Sequence, residues 1–231
     1  MLQSEALSGV LLATALDDFT TIPRALLTSS TNFRPKSRIA SSHWEEFDYQ
    51  SSEALAREDL VRPPPFVHPI ACRVSGPRIL LVAPHKRIVE HAVDKVLSKL
   101  FKPRLRSVPI LVDGIVRALT DDPSHGYLLT YVHARVAPYG TDLRSQSFYG
   151  DDLANAKLFR DALPLISCTT CGIRPADSEH EILRLGNDGA VSFFFANPER
   201  LQKVEDALGF VASLGFLDAG PRGGPSGATW A

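Results

Sequence analysis

Cys168 and Cys171 are the residues of this sequence whose spacing most resembles a metal-binding motif. Two residues separate them, as in half of a zinc knuckle, and His180 follows as a third candidate ligand. A tetrahedral site needs four ligands, and the chain has no second Cys-x-x-Cys pair. Buried, unreactive cysteines are therefore the preferred interpretation. We expect no cofactor, and a structural zinc ion is the alternative.

His133 is the candidate for acid–base chemistry. It lies in an alternating segment in which Tyr131, His133 and Arg135 share one face of a predicted strand. A histidine that transfers protons needs a partner, and the nearest candidates in the flanking loops are Asp113, Asp121 and Asp122. No spacing fixes their geometry, so a half-exposed sheet face is the simpler interpretation. We assign no catalytic residue, and an enzyme that uses His133 remains an alternative.

A dense run of basic residues could bind a polyanion. Only Glu90 and Asp94 offset it within the predicted helix, and its members are Lys86, Arg87, Lys95, Lys99, Lys102, Arg104 and Arg106. Such a surface can hold phosphates and would make nucleic-acid binding dependent on salt. The run lacks the interleaved aromatic residues on which single-stranded bases stack. A solvated helix face is the alternative reading.

Three aromatic residues, Tyr139, Phe148 and Tyr149, lie in or beside a segment, 140–150, with no clear periodicity. Segment 29–50 is similarly irregular, and both are predicted to be long loops. Long loops in compact domains commonly serve binding, and exposed aromatic residues are frequent interface anchors. These three residues are therefore the predicted contacts with a protein partner.

Composition limits the class of protein. The chain has 231 residues, 44% hydrophobic and 22% charged, with a formal net charge of −1. These values are typical of folded proteins and place any affinity for nucleic acid in a local patch. No run approaches the roughly 20 apolar residues of a membrane-spanning helix.

Cysteine content and local composition bear on location. Three cysteines do not form the framework of a secreted disulfide-rich protein, so an intracellular location, cytoplasmic or nuclear, is expected. Segment 19–44 contains no Asp or Glu and is rich in Ser and Thr, as transit peptides are. Because this segment is internal, organelle import is the less favoured alternative.

Hydrophobic periodicity predicts the elements that position these residues. Apolar residues recur at helical spacing over 86–101, 151–163 and 198–214, and strands are predicted over 67–74, 78–83, 105–112, 127–136 and 181–196. Strand 67–74 and strand 78–83 form a predicted hairpin, as do the two arms of 181–196. The predicted fold class is α+β, a mainly antiparallel sheet with two long helices, 86–101 and 198–214, packed on one face.

The prolines at 63–65 suggest a boundary between an irregular N-terminal layer, 1–66, and an α+β core domain, 67–217. Residues 218–231 are rich in Gly, Pro and Ser and are predicted to form a flexible tail. The complete catalytic motifs sought, including Gly-x-Ser-x-Gly and the phosphate-binding loop, are absent from the sequence. The leading hypothesis is a non-enzymatic binding or scaffolding subunit of a larger assembly, with polyanion binding and an enzyme as alternatives.

Overall fold

The computed structural model describes residues 6–14, 30–38, 44–61, 63–75, 78–100, 105–136, 144–179, 181–194 and 200–217. These residues separate into two compact units. Unit 1 is the described part of Met1–Val108, and unit 2 is the described part of Pro109–Gly223.

Unit 1 is built on antiparallel strands. The strands are β1 (Ala6–Thr14), β2 (Phe33–Arg38), β3 (Trp44–Ser51), β4 (Phe66–Ser75), β5 (Arg78–Ala83) and β6 (Leu105–Ser107). Their order is β2-β3-β4-β5-β1, and β6 also pairs with β1. The predicted hairpin of β4 and β5 is confirmed by a register in which Cys72 lies opposite Leu81.

A helical segment covers one face of these strands. It consists of α1 (Lys86–Ala92), a π-helical turn (Val93–Leu97) and α2 (Ser98–Leu100). The Ser98 N–H donates to the Val93 carbonyl oxygen, five residues back, which is the hydrogen bond of a π-turn. Its buried side chains share one core with Phe47, Tyr49 and residues of β4 and β5; they are Ile88, Val89, Ala92, Val96 and Leu97. The predicted apolar stripe is confirmed at these positions.

Unit 2 has a second antiparallel arrangement. Its strands are β7 (Tyr127–Val136), β8 (Ser145–Tyr149), β9 (Ile166–Pro175), β10 (Ile182–Gly186) and β11 (Ala190–Phe194). Their order is β11-β10-β9-β7-β8. Strand β7 has the bounds that its alternating sequence predicts, and the predicted hairpin is observed as β10 and β11, joined by a turn at Asn187–Gly189.

Short helices complete unit 2. They are α3 (Val112–Asp121), α4 (Lys157–Ala162) and α5 (Arg200–Ser213). Val204, Leu208 and Val211 are buried as predicted, and Phe210 stacks on Tyr127 with ring centroids 4.5 Å apart. Beyond α5, the bridge between Leu217 and Ile110 ties the end of the described chain to the residues before α3.

The predicted fold class is confirmed only at its coarser level. The described strand pairings within each unit are antiparallel, and helices accompany them, as expected of α+β proteins. The prediction of two long helices on one face is not confirmed, because the helices are short. Segment 86–101 is interrupted by the π-turn, and segment 151–163 contains only the six-residue α4 between two 3₁₀ turns.

Two predicted loops are wrong in their described parts. Segment 29–50 contains β2 and most of β3, and segment 140–150 contains β8. Conversely, the strand predicted over 105–112 ends at Ser107, and α3 begins at Val112. The domain boundaries predicted at residues 66 and 217 stay predictions. The predicted tail, 218–231, lies outside the described residues.

Candidate functional site

The outward face of the strands in unit 2 carries the most distinctive cluster of side chains. Tyr131, His133 and Arg135 share this face, as the period of two predicts, whereas Val132 and Ala134 are fully buried on the other side. Neighbouring strands add Tyr149 opposite Tyr131, and Ser147 opposite His133. The sequence pattern of β7 therefore correctly identifies the open face.

Strand register aligns Tyr149, Tyr131 and Arg184 into a row, which Phe194 extends from a diagonal position. Tyr131 lies opposite Tyr149 of β8 and, on its other side, opposite Gly172 of β9, which in turn lies opposite Arg184 of β10. Phe194 of β11 lies beside Arg184. We call Tyr149, Tyr131, Arg184 and Phe194 the aromatic–arginine row.

The row is held together by ring contacts. The Arg184 guanidinium carbon lies 4.8 Å from the centroid of the Tyr131 ring and 5.0 Å from that of the Phe194 ring. The Tyr131 and Tyr149 centroids are 4.9 Å apart. These are the distances of cation–π and aromatic contacts, so each member restricts the rotamers of its neighbours.

Gly172 makes room for this arrangement. A Cβ atom at position 172 would lie 2.9 Å from the Tyr131 Cβ, which is closer than carbon atoms normally approach. The absence of a side chain there allows Tyr131 and Arg184, on the strands to either side, to approach each other.

A cavity of about 270 Å³ adjoins the row. It is lined by Thr130, Tyr131, Tyr149, Gly150, Asp151, Arg174, Glu179, Ile182 and Arg184. Because the lining contains two arginines and two carboxylates, its formal net charge is zero. The Arg174 side chain also organises the wall, because Nη1 donates to the Ser178 carbonyl oxygen at 2.5 Å and Nη2 to that of Asp151 at 3.5 Å.

His133 contacts a hydroxyl group. Its Nδ1 lies 2.9 Å from the Ser147 Oγ. The predicted carboxylate partners are engaged elsewhere or exposed: Asp113 accepts hydrogen bonds from Arg117 and the Cys168 N–H, and Asp122 from the Ser124 N–H. The acid–base role of His133 stays a prediction, and these contacts do not add support for it.

The predicted partner-binding aromatic residues have different environments. Tyr149 is 70% exposed, as an interface anchor should be. Phe148 faces the interior and packs edge-on against Phe159, with centroids 5.2 Å apart, so the structure corrects its assignment to a surface contact. Tyr139 lies outside the described residues.

The predicted polyanion-binding residues are partly described. Lys86, Arg87, Lys95 and Lys99 are exposed along the helical segment of unit 1, as the amphipathic pattern predicts. Lys86 Nζ lies 3.3 Å from a carboxylate oxygen of Glu90. Lys102 and Arg104 lie outside the described residues, and of Arg106 the structure describes the backbone in β6.

The cysteines of the candidate zinc motif are buried in β9. A bulge at Thr169 places Cys168 opposite Ala134 and Cys171 opposite Val132, so both face the interior. Burial raises the pKa of the Cys168 thiol to about 12 and also raises that of Cys171. His180 lies outside the described residues, and the residues that are described contain no group of three or more candidate ligands placed to hold a metal.

Unit 1 contains a polar cluster that sequence reasoning missed. The Tyr49 hydroxyl, on β3, lies 2.7 Å from His91 Nδ1 on α1, and His91 Nε2 lies 3.4 Å from a Glu53 carboxylate oxygen. Tyr49 is fully buried, and burial, with the Glu53 charge, raises its pKa to about 12. A tyrosine and a histidine 42 positions apart give no local signal.

His68 and Asp59 extend this cluster. His68 lies opposite Tyr49 in the β3–β4 pairing, and its Nε2 is 3.4 Å from the Asp59 Oδ2. The same oxygen accepts hydrogen bonds from the Leu55 and Ala56 N–H groups, each at 2.8 Å. Burial lowers the pKa of His68 although the Asp59 carboxylate opposes the effect. The Asp59–His68 contact joins residues 55–61 to β4.

Comparisons with known proteins give no family for the chain: no protein-family model matches it, and no curated protein matches it at a significant level. Across the described residues, no helix combines the length and the apolar character needed to cross a membrane.

Proposed function

We propose that this chain is a non-enzymatic binding subunit of a larger assembly and that the aromatic–arginine row contacts a protein partner. The observation that supports this proposal is the exposure of large side chains on an ordered surface: Tyr149 is 70% exposed and Phe194 39%. Interfaces are enriched in tyrosine, phenylalanine and arginine, and residues whose rotamers are already restricted lose little entropy on binding.

A protein partner suits this surface better than a nucleic acid. The row has the aromatic faces on which bases could stack, but Asp151 and Glu179 line the adjoining cavity. Two carboxylates beside the row would repel phosphate groups, whereas a protein can present charges of both signs. An intracellular location, in the cytoplasm or nucleus, is part of the proposal and is supported by three free, buried cysteines.

Affinity purification from native lysate with variant baits tests the proposal. Tyr149→Ala and Phe194→Ala should each reduce the amount of at least one stably co-purified protein by about tenfold or more, as interface anchors do. Leu158→Ala is the matched control, because Leu158 is a large apolar residue, 78% exposed, outside the row. If the row variants retain the same proteins in the same amounts as Leu158→Ala, the proposal fails.

Polyanion binding by unit 1 is a second candidate function. It is favoured by the exposure of Lys86, Arg87, Lys95 and Lys99 along one helical segment. A salt titration of oligonucleotide binding should give a negative slope of log affinity against log salt, and the double change Lys95→Glu and Lys99→Glu should flatten it. Lys157→Glu, on α4 of unit 2, is the control. A slope unaffected by the double change would exclude this surface.

A further inference from the structure

Arg184 has the geometry of an anion-binding group rather than of a surface charge alone. Its guanidinium carbon lies over both the Tyr131 ring and the Phe194 ring. The N–H groups along its edge are the ones that bind carboxylates in a bidentate manner. Its Nε is buried and has no hydrogen-bond partner among the described residues. The two terminal nitrogens are not buried in this way, and a carboxylate can bind them end-on in a bidentate manner.

The other charged residues of the cavity restrict which kind of anion can bind beside Arg184. Arg174 is partly committed to the backbone carbonyl oxygens of Ser178 and Asp151. Asp151 and Glu179 are exposed residues that line the same cavity, and neither forms an ion pair within the described part of the chain. A phosphate dianion at Arg184 would be repelled by both carboxylates. A single carboxylate accompanied by a cation would match the lining.

We infer that the cavity recognises a peptide segment in which an Asp or Glu and a Lys or Arg lie two positions apart. The acidic side chain binds the edge of Arg184, and the basic side chain pairs with Glu179 and Asp151. Side chains two residues apart in an extended chain lie on one face about 7 Å apart, and a cavity of about 270 Å³ has room for both charged ends. This inference rests on the proposed function, because it identifies what the partner presents to the row.

Fluorescence anisotropy with labelled hexapeptides and the full chain tests the inference. The probe is Gly-Tyr-Glu-Ala-Lys-Gly, and the comparison peptides replace its Glu-Ala-Lys by Lys-Ala-Lys, Glu-Ala-Glu or phosphoserine-Ala-Lys. The affinity for the Glu-Ala-Lys peptide should exceed that for each comparison peptide by about tenfold or more. Arg184→Gln should remove the preference over the Lys-Ala-Lys peptide, and Arg184→Lys should retain only part of it, because lysine cannot form the planar bidentate contact.

Two further variants sharpen the test. Arg135→Gln removes a charge from the same outward face but outside the cavity lining, and should change affinity by less than about twofold. Glu179→Lys should shift the preference from the Glu-Ala-Lys peptide to the Glu-Ala-Glu peptide, since it reverses the charge that selects lysine.

Several results would overturn the inference: no peptide binding, equal binding of the four peptides, equal effects of Arg184→Gln and Arg135→Gln, or tighter binding of the phosphopeptide or a single-stranded RNA. Its failure is separable from that of the proposed function. If Tyr149→Ala still loses a partner while the peptides show no preference, the row binds proteins and only the ligand chemistry is wrong.

Discussion

Units 1 and 2 place similar polar and aromatic side chains in opposite environments. In unit 1 the Tyr49 hydroxyl contacts His91, and His68 lies beside Asp59, all within or at the edge of the apolar core. In unit 2 Tyr131, Tyr149 and Arg184 lie on the outward face of the strands. Polar groups inside a core must keep their partners, because water cannot replace them.

This difference separates a structural role from a binding role. Changes in the unit 1 cluster should reduce stability, since each leaves a buried group unsatisfied. Changes in the aromatic–arginine row should cost little stability, because water already reaches much of it, and should act on binding instead. Trp44, which is fully buried in unit 1, provides a local fluorescence probe when Trp230 is replaced by Phe.

Asp59→Ala should produce the largest loss of stability. It removes the acceptor of the Leu55 and Ala56 N–H groups and the charge beside His68, so we expect the free energy of unfolding of unit 1 to fall by about 2–4 kcal/mol. Urea unfolding followed by Trp44 emission measures it. Glu58→Ala, an exposed neighbour, should change the same quantity by less than about 0.5 kcal/mol. Equal effects of the two changes would contradict a structural role for Asp59.

Tyr49→Phe should have the next largest effect. It removes one hydroxyl group and leaves His91 Nδ1 without that partner, for an expected loss of about 1–2 kcal/mol. Tyr149→Phe is the matched change in unit 2, and it should alter the unfolding free energy by less than about 0.5 kcal/mol. The contrast between the units would be lost if Tyr49→Phe were as neutral as Tyr149→Phe.

The stability of unit 1 should decrease as the pH falls from about 7 to about 5. Burial lowers the folded-state pKa of His68 below its unfolded value, against the effect of Asp59, so the unfolded state takes up a proton first. The charges of His85 and His91 also lower the pKa of His68, whereas that of Glu58 raises it. His68→Gln should flatten the pH dependence of the urea midpoint, whereas His85→Gln, at an exposed site, should not. An unchanged slope in His68→Gln would assign the dependence to other groups.

Phe194→Ala should have a small effect on stability. Phe194 is 39% exposed and contacts Arg184 through its ring, so its truncation should reduce the unfolding free energy by less than about 1 kcal/mol. Circular dichroism during urea unfolding measures the change. Loss of partner binding with nearly unchanged stability would sharpen the comparison, whereas a loss above about 3 kcal/mol would place Phe194 in the core.

Local periodicity accounts for the elements that could be predicted from the sequence. Strand β7 alternates cleanly because one face is buried and one is open, and the helical segment of unit 1 has an unbroken apolar stripe. Strand β3 was missed because both of its faces are largely covered. Trp44 and Glu46 are buried on one side, and Phe47 and Tyr49 on the other, so no alternation appears. The aromatic residues at 44, 47 and 49 were the available signal.

The candidate site could be predicted only in part. The outward position of Tyr131 follows from the alternation of β7. Its contact with Arg184 depends on the register of three strands and on Gly172 between them, and a single sequence does not specify such long-range pairing. The Tyr49–His91 contact was missed for the same reason, since its residues are 42 positions apart.

The π-turn at Val93–Leu97 gives the helical segment one residue more than an α-helix of the same path would contain. Deleting one residue from an ordinary helix rotates everything beyond the deletion by about 100° and turns the apolar side away from its neighbours. Within this turn the same deletion would restore α-helical spacing and leave Ile88 and Leu97 on the covered side. One residue can therefore be deleted here while the apolar side chains on both sides of the deletion still face the core.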